Sequence, residues 1–284
     1  MAEVFRGSRR TTPTAKARLR HFLRHQVLSL RAMVHRNPSS GFIRCLYAHH
    51  VFDDERKAFE GHIKMLKGMG QFVSTDDALD LINGDRPVDG RYFHLSYDDG
   101  LSCLLHNAAP ILAEAEVPAI VFVNSAMADQ PSAETKAAWH HATNYANHID
   151  VLDWDGLRQL LAAGFEIGAH TRTHKRLSAV SSDPAVLAHE VSVCKTEIET
   201  VLGTPCPYFA WPYGTLADVD QPSIEAIRAA GYRAAFGVYR MAVTPGNTNP
   251  FMTPRHHFEP NWPKSHVRYF AQAGMEAPNV LPDW

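Results

Sequence analysis

Two short segments of this 284-residue chain bring proton-handling and metal-binding side chain types together. The first is Phe93-His94-Leu95-Ser96-Tyr97-Asp98-Asp99-Gly100, a strand-like run that ends in two adjacent carboxylates and a glycine. Successive strand residues point to opposite faces, so the two carboxylates need not share a task. At a bend into Gly100 both can still reach one cavity, one binding a cation and the other acting as base. An Asp-Asp-Gly turn without chemistry uses the same residues. The second segment is Phe165-Glu166-Ile167-Gly168-Ala169-His170-Thr171-Arg172-Thr173-His174. His170 and His174 are four apart, and a helical turn would put both rings on one side, a spacing that suits two imidazole ligands of one metal. Taken alone, the pair reads equally as two satisfied histidines. Together, the segments supply an Asp-His-His set that leaves coordination positions open. A cation in such a set lowers the pKa of water to near 7. Attack on an amide carbonyl then needs a base, an oxyanion stabiliser and an acid for the leaving amine.

The elements that must hold these residues alternate. Phe42–Tyr47, Arg91–Tyr97, Ala119–Val123, Phe165–Ala169, Tyr208–Trp211 and Ala234–Val238 read as strands. Helices are expected over Lys57–Met69, from Thr75 as N-cap to Ile82, and over Leu104–Ala115, Asp153–Ala163, Asp183–Leu202 and Ser223–Ala230. Strand-helix alternation implies a parallel sheet, and seven or eight units imply closure into a distorted (β/α)7-8 barrel. Both chemical segments then lie at C-terminal strand ends, where barrel sites assemble. Residues 124–152 fit neither element and read as a lid or cleft wall. They carry Trp139, His140, His141, Asn144, Tyr145 and His148.

Composition narrows the setting. Hydrophobic residues make up 45%, enough for a large core in one α/β domain. Nine of the 28 Lys/Arg fall in residues 1–36, against one of the 30 acids, Glu3. Residues 1–41 therefore read as a basic amphipathic helix (14–36) and linker, and 42–284 as the barrel. The helix carries Leu19, Phe22, Val27, Leu30 and Val34 on one side. Such an arm either docks on its own acidic body or meets an anionic membrane surface. Nucleic acid is not expected, because no basic stripe with interleaved aromatics occurs elsewhere. The four cysteines form no C-x-x-C pair and read as buried thiols. No run approaches a membrane span and no secretory h-region follows the N-terminal charges, so a cytoplasmic location is expected, with contact at the inner face of the membrane.

These motifs resemble the polysaccharide deacetylase family, also called NodB-homology or carbohydrate esterase 4. Ser96-Tyr97-Asp98-Asp99-Gly100 matches its T-F-D-D-G motif with two mild changes, and His170-Thr171-Arg172-Thr173-His174 its H-T-x-x-H form. The resemblance implies Asp98 as base and Asp99, His170 and His174 as ligands of a divalent metal: zinc first, with cobalt, nickel, manganese or iron accepted by the same set. The third motif, R-x-P-[YF]-G, reads Ala210-Trp211-Pro212-Tyr213-Gly214. Its missing arginine resembles the branch acting on poly-N-acetylglucosamine and related exopolysaccharides, and implies a Tyr213 N–H in the oxyanion hole. Tyr47-Ala48-His49-His50-Val51 is the counterpart of that branch's Y-H-x-V strand, placed early by circular permutation. Its general acid falls on His49, with His50 the alternative. Met252-Thr253-Pro254-Arg255-His256 resembles the branch's L-P-R-[IV] segment, so Arg255 would restrain Asp98 in place of the arginine absent at Ala210. Trp211, Tyr213, Trp139 and Tyr145 are candidates for stacking on sugar faces.

The activity so implied is hydrolysis of an N-acetyl group on an amino sugar of a bacterial surface polysaccharide or its precursor. Two readings stand beside it: an amidase or deformylase acting on a small non-polymeric substrate, and a non-catalytic glycan-binding or scaffold member.

Overall fold

The computed structural model describes residues 26–28, 30, 41–143, 149–241, 243, 245–246 and 248–272. Nine strands are described: β1 (Phe42–Ala48), β2 (Gln71–Phe72), β3 (Arg91–Tyr97), β4 (Ile120–Val123), β5 (Glu166–Ala169), β6 (Tyr208–Ala210), β7 (Ala234–Gly237), β8 (Thr253–Pro254) and β9 (His256–His257). All their pairings are parallel. The order is β8-β7-β6-β5-β4-β3-β1-β9, with β2 beside β3 off this path. β8 and β9 are one stretch of chain interrupted at Arg255, pairing with β7 on one side and β1 on the other. The ends of the path therefore meet, which is the barrel that the alternating pattern predicts.

The two faces of the strands follow the period of two. Leu46, Phe93, Leu95, Val121, Ile167, Phe209 and Ala235 pack with Phe59, Ile63, Leu157, Leu160 and Ile227 of the surrounding helices. Ile43, Cys45, Tyr92, Ile120, Phe122, Tyr208, Ala234 and Phe236 form a second cluster on the opposite face, the barrel interior. The helix Thr75–Asn83 closes that interior below with Ala78, Leu79, Leu81 and Ile82. Its cap is Ser74, whose side chain accepts from the Asp77 N–H, one residue earlier than expected.

Three expectations change. The closing stretch 253–257 did not show as a strand, because Pro254 and Arg255 break its β pattern. Residues 124–152 are not a structureless wall: Ser125–Ala128 and Ala133–Thr143 are helical. The helices expected over 104–115 and 183–202 each contain one π-helical turn, Leu104–Ala108 and His189–Val193. Of the expected N-terminal helix, Gln26–Leu28 and Leu30 are described as helical, and Leu28 packs against Tyr269 and Phe270; the remainder lies outside the described residues. No helix among the described residues is long and apolar enough to cross a membrane.

Candidate metal centre and its pocket

β3 delivers Asp98 and Asp99 to the C-terminal rim of the barrel. Asp99 has φ 71° and Gly100 φ 66°, so the chain turns left-handed where the strand ends. That bend, rather than strand alternation, brings both carboxylates into one cavity of about 190 Å³. Tyr47, His49, His50, His170, His174, Tyr213, His257 and Glu259 share its walls.

β5 delivers His170 and the loop after it delivers His174. The loop is not a helical turn. Thr171 (φ 61°) and His174 (φ 63°) are both left-handed, and their bends replace the helical register that the spacing suggested. Asp99 Oδ1 lies 3.6 Å from His170 Nε2 and 3.4 Å from His174 Nε2. One ligand atom from each residue falls within 4.8 Å of the others, and all three are buried. His170 Nδ1 donates to the Ala210 carbonyl at 2.7 Å, which fixes the tautomer and leaves Nε2 as a lone-pair donor. Burial first, with the neighbouring charges acting largely against it, brings the His170 pKa down to about 4, so the ring is neutral at pH 7 as a ligand must be. For Asp99 burial acts upward, but the hydrogen bond and charge of His174 outweigh it and hold the carboxyl well below the usual range. A carboxylate oxygen and two imidazoles in one buried cluster fit a divalent metal ion.

Arg255 is 0% exposed, at the seam where β8 and β9 close the barrel. It pairs with Asp98 through two parallel bonds, Nη1–Oδ1 at 2.7 Å and Nη2–Oδ2 at 2.9 Å. Its Nη1 also donates to Ser96 Oγ at 3.1 Å and its Nε to the Gly237 carbonyl at 3.3 Å. Burial, the largest single cause, would raise the Asp98 pKa, but the Arg255 guanidinium, joined by His170 and His49, outweighs it and holds the carboxyl below its usual range. Asp98 is thus held ionised beside the Asp99-His170-His174 cluster.

Three more histidines, two just after β1 and one in β9 beside it, line the pocket. His49 is half-buried at the end of β1; burial lowers its pKa below 6.5, while the carboxylates of Asp99 and Asp98 act in the other direction. His50 is buried, 3.5 Å from both Glu55 and Glu259, and stacks on Phe52 at 4.1 Å between centroids. His257 lies 3.1 Å from Glu259, whose pKa burial would raise but the His257 contact brings down to about 2. The sequence reading missed His257 and Glu259. Their nearest signal was the Arg255 segment, which places them two and four residues on.

Tyr213 is 41% exposed with φ 65°, and its ring meets His174 edge-on at 5.1 Å while Arg176 covers it at 4.3 Å. The described hydrogen bonds include none from its backbone N–H. Four of the six non-glycine residues with positive φ among those described, Asp99, Thr171, His174 and Tyr213, line this site or flank its ligands. Strained backbone of this kind clusters at functional positions.

The stacking candidates need correction. Trp211 is fully buried, packs where a Cβ on Gly237 would sit, and donates its Nε1 proton to the Thr215 carbonyl at 3.1 Å. Trp139 is 1% exposed and donates to Asn124 Oδ1 at 3.0 Å, and Asn124 in turn donates to the His170 and Thr171 carbonyls. Neither indole presents a face to a ligand, because each is spent on packing and on an N–H partner. Tyr145 lies outside the described residues. Ala142 and Thr143, at the end of the helix Ala133–Thr143, reach the pocket instead.

A closed parallel barrel with an Asp-His-His cluster and an ionised carboxylate at its C-terminal rim defines an α/β-barrel protein whose rim could hold a metal ion. The chain belongs to the polysaccharide deacetylase family, whose model matches residues 85–235. That span holds both aspartates, both ligand histidines and Tyr213; β1 with His49 and the closing stretch with Arg255 lie outside it. A poly-beta-1,6-N-acetyl-D-glucosamine N-deacetylase of Staphylococcus aureus is 25% identical over 205 residues, covering 69% of this chain and 64% of the relative. The chain thus spans somewhat less than two thirds of the curated relatives it matches. The IcaB structure from Ammonifex degensii aligns with TM-score 0.65 and 21% identity, over 83% of this chain and 98% of the other. A de-N-acetylase from Aggregatibacter actinomycetemcomitans aligns with TM-score 0.63 and 18% identity, over 80% and 99%. Both share the fold.

Proposed function

We propose that this chain hydrolyses the N-acetyl group of an amino sugar in a bacterial surface polysaccharide or its precursor. The observation that carries this reading is the division of labour between two adjacent carboxylates. Asp98 is committed to Arg255, and Asp99 to the two histidines. Asp99, His170 and His174 would hold a divalent ion, zinc being our first choice, and such an ion would supply Lewis acidity and a more acidic water. Asp98, kept ionised, takes the proton of the attacking water. The Tyr213 N–H, from which no described hydrogen bond runs, receives the carbonyl oxygen as it becomes anionic. His49, just after Ala48 on the strand beside β3, gives a proton to the leaving nitrogen. Acetate and a free amine result. The names of the curated relatives support an N-acetylglucosamine substrate.

The cavity of about 190 Å³ lies below the roughly 300–1,000 Å³ of drug-sized sites, so we read its occupant as one sugar residue, at a chain end or alone. The test is acetate release by metal-loaded protein from polymeric, lipid-linked and nucleotide-linked N-acetylated amino sugars. Release from at least one is expected; bound metal with no release from any would sink the proposal. Contact with an anionic membrane through residues 14–36 belongs to the same proposal. It rests on the basic sequence and on Val27 and Leu30, exposed at 50% and 59% beside the docked Leu28. Removal of residues 1–36 should then abolish binding to phosphatidylserine vesicles.

A further inference from the structure

The loop that carries His174 is short and left-handed at both ends. Asn124 and the Ala126 N–H hold its carbonyls, and Glu190 holds the N–H groups of residues 172 and 173. Glu190 is 1% exposed. Its Oε2 accepts from the Thr173 N–H at 2.8 Å and its Oε1 from Thr173 Oγ1 at 2.6 Å. Its backbone carbonyl accepts from the Arg172 N–H at 3.0 Å. Residues 172 and 173, the two between Thr171 and His174, are thus tied to a single residue through three hydrogen bonds.

The π-helical turn His189–Val193 makes this anchorage available. In a regular α-helix the carbonyl of residue 190 would accept from the N–H of residue 194. Here the Cys194 N–H goes to the Val191 carbonyl, which leaves the Glu190 carbonyl for Arg172. A wide turn inside a long helix is the kind of irregularity that marks functional positions. The other π-helical turn, Leu104–Ala108, does a parallel job. Its Asn107, 2% exposed, donates to the Val51 carbonyl and to Asp53 Oδ1, both at 2.9 Å, and so holds the loop after His49 and His50.

We propose that Glu190 is a positioning residue for the metal centre: it fixes the 172–173 peptides so that the strained His174 stays within reach of Asp99 and His170. The left-handed conformations at Thr171 and His174 are strained, so loss of the Glu190 bonds would let the loop relax and carry the imidazole away. Partners of ligand residues of this kind change metal affinity by about 10–100-fold when removed. The inference rests on Asp99, His170 and His174 binding a metal, as proposed above.

Metal affinity, read by competition with a chromophoric chelator for Zn²⁺, and the visible spectrum of the Co²⁺-loaded protein test it. Glu190→Ala should weaken Zn²⁺ binding by about 10–100-fold and alter the Co²⁺ bands. Glu190→Gln, which keeps one acceptor, should recover part of the loss. Thr173→Val is the milder change, because it removes one bond at a half-buried position; it should fold and give a smaller weakening of the same kind. Asn107→Ala, which loosens the other loop, should lower turnover but bind Zn²⁺ as wild type does. The proposal is overturned if folded Glu190→Ala and Thr173→Val retain wild-type affinity and spectrum. It is equally overturned if Asn107→Ala loses as much affinity as Glu190→Ala, because generic loosening would then explain both. Wild-type protein that takes up neither ion refutes the metal centre itself, and this outcome is distinct from a clamp that does not matter.

Discussion

Asp98 and Asp99 are neighbours in sequence, yet their surroundings send them to different tasks. Asp99 faces two imidazoles, while Asp98 faces a planar guanidinium that takes both its oxygens. Asp98→Asn should reduce kcat for deacetylation by about 10²–10⁴-fold, the usual contribution of a positioned base, with metal content unchanged. Metal lost together with activity would instead make Asp98 a ligand. The variant should also unfold earlier, because it leaves the buried Arg255 without its counter-charge. Arg255→Lys keeps a charge but loses the fork. The Asp98 pKa is depressed below 3.8 in the folded protein, and the active form is the carboxylate. Weakening the pair raises that pKa, so the acid limb of the kcat/KM profile should move to higher pH; an unmoved limb would show that Arg255 does not tune the base. For stability the sign is the same. The pair contributes above the unfolded carboxyl value, and its contribution is lost as pH falls through the depressed one.

The decisive elements are short ones. The stretch 253–257 closes the barrel and inserts Arg255 beneath Asp98 in a single pass. β7 supports it, since the Gly237 carbonyl accepts from both the Arg255 N–H (3.1 Å) and Nε (3.3 Å). A Cβ at Gly237 would come within 2.1 Å of the buried Trp211 ring. Gly237→Ala should therefore cost about 1–3 kcal/mol in denaturant unfolding, as overpacked core positions do. It should also lower activity, by shifting Arg255 from one side and the Trp211-Pro212-Tyr213 turn from the other. A variant as stable and as active as wild type would mean that β7 moves freely, contrary to this packing. The π-helical turns belong to the same scale, because each breaks a helix where a loop of the site needs an anchor.

At the scale of the molecule, several histidines are buried and neutral. Burial is the largest cause in each case. It takes His94 to about 3, His256 to about 3 and His170 to about 4. In the unfolded chain these rings protonate near 6.5. Between about pH 6.5 and 4 the unfolded state therefore binds more protons, and stability falls as pH falls, by up to about 1.4 kcal/mol per pH unit for each ring. The Tm of metal-free protein should drop across this window, and replacing His94 by Phe should flatten the slope; a flat profile in wild type would contradict the burial of these rings. His94 is a fair choice, since it stacks on Phe236 inside the barrel, at 5.5 Å between centroids, away from the pocket walls.

The sequence by itself determined the alternation of strands and helices, and with it the barrel and the rim to which both motifs belong. Periodicity and caps are local, so a linear reading recovers them, and adjacent carboxylates or paired histidines declare their chemistry by type. Where those side chains point, and what stands beside them, came from packing between distant parts of the chain. Left-handed bends at Asp99, Thr171 and His174, not strand or helix register, aim the ligands. Trp211 and Trp139 looked like sugar platforms because aromatic type says nothing of burial, and packing made both into supports. His257, Glu259 and Glu190 carried no motif, because their neighbours in the site come from elements far away in the chain. The partner of Asp98 lies 157 residues on, and closure of the barrel is what made the two adjacent.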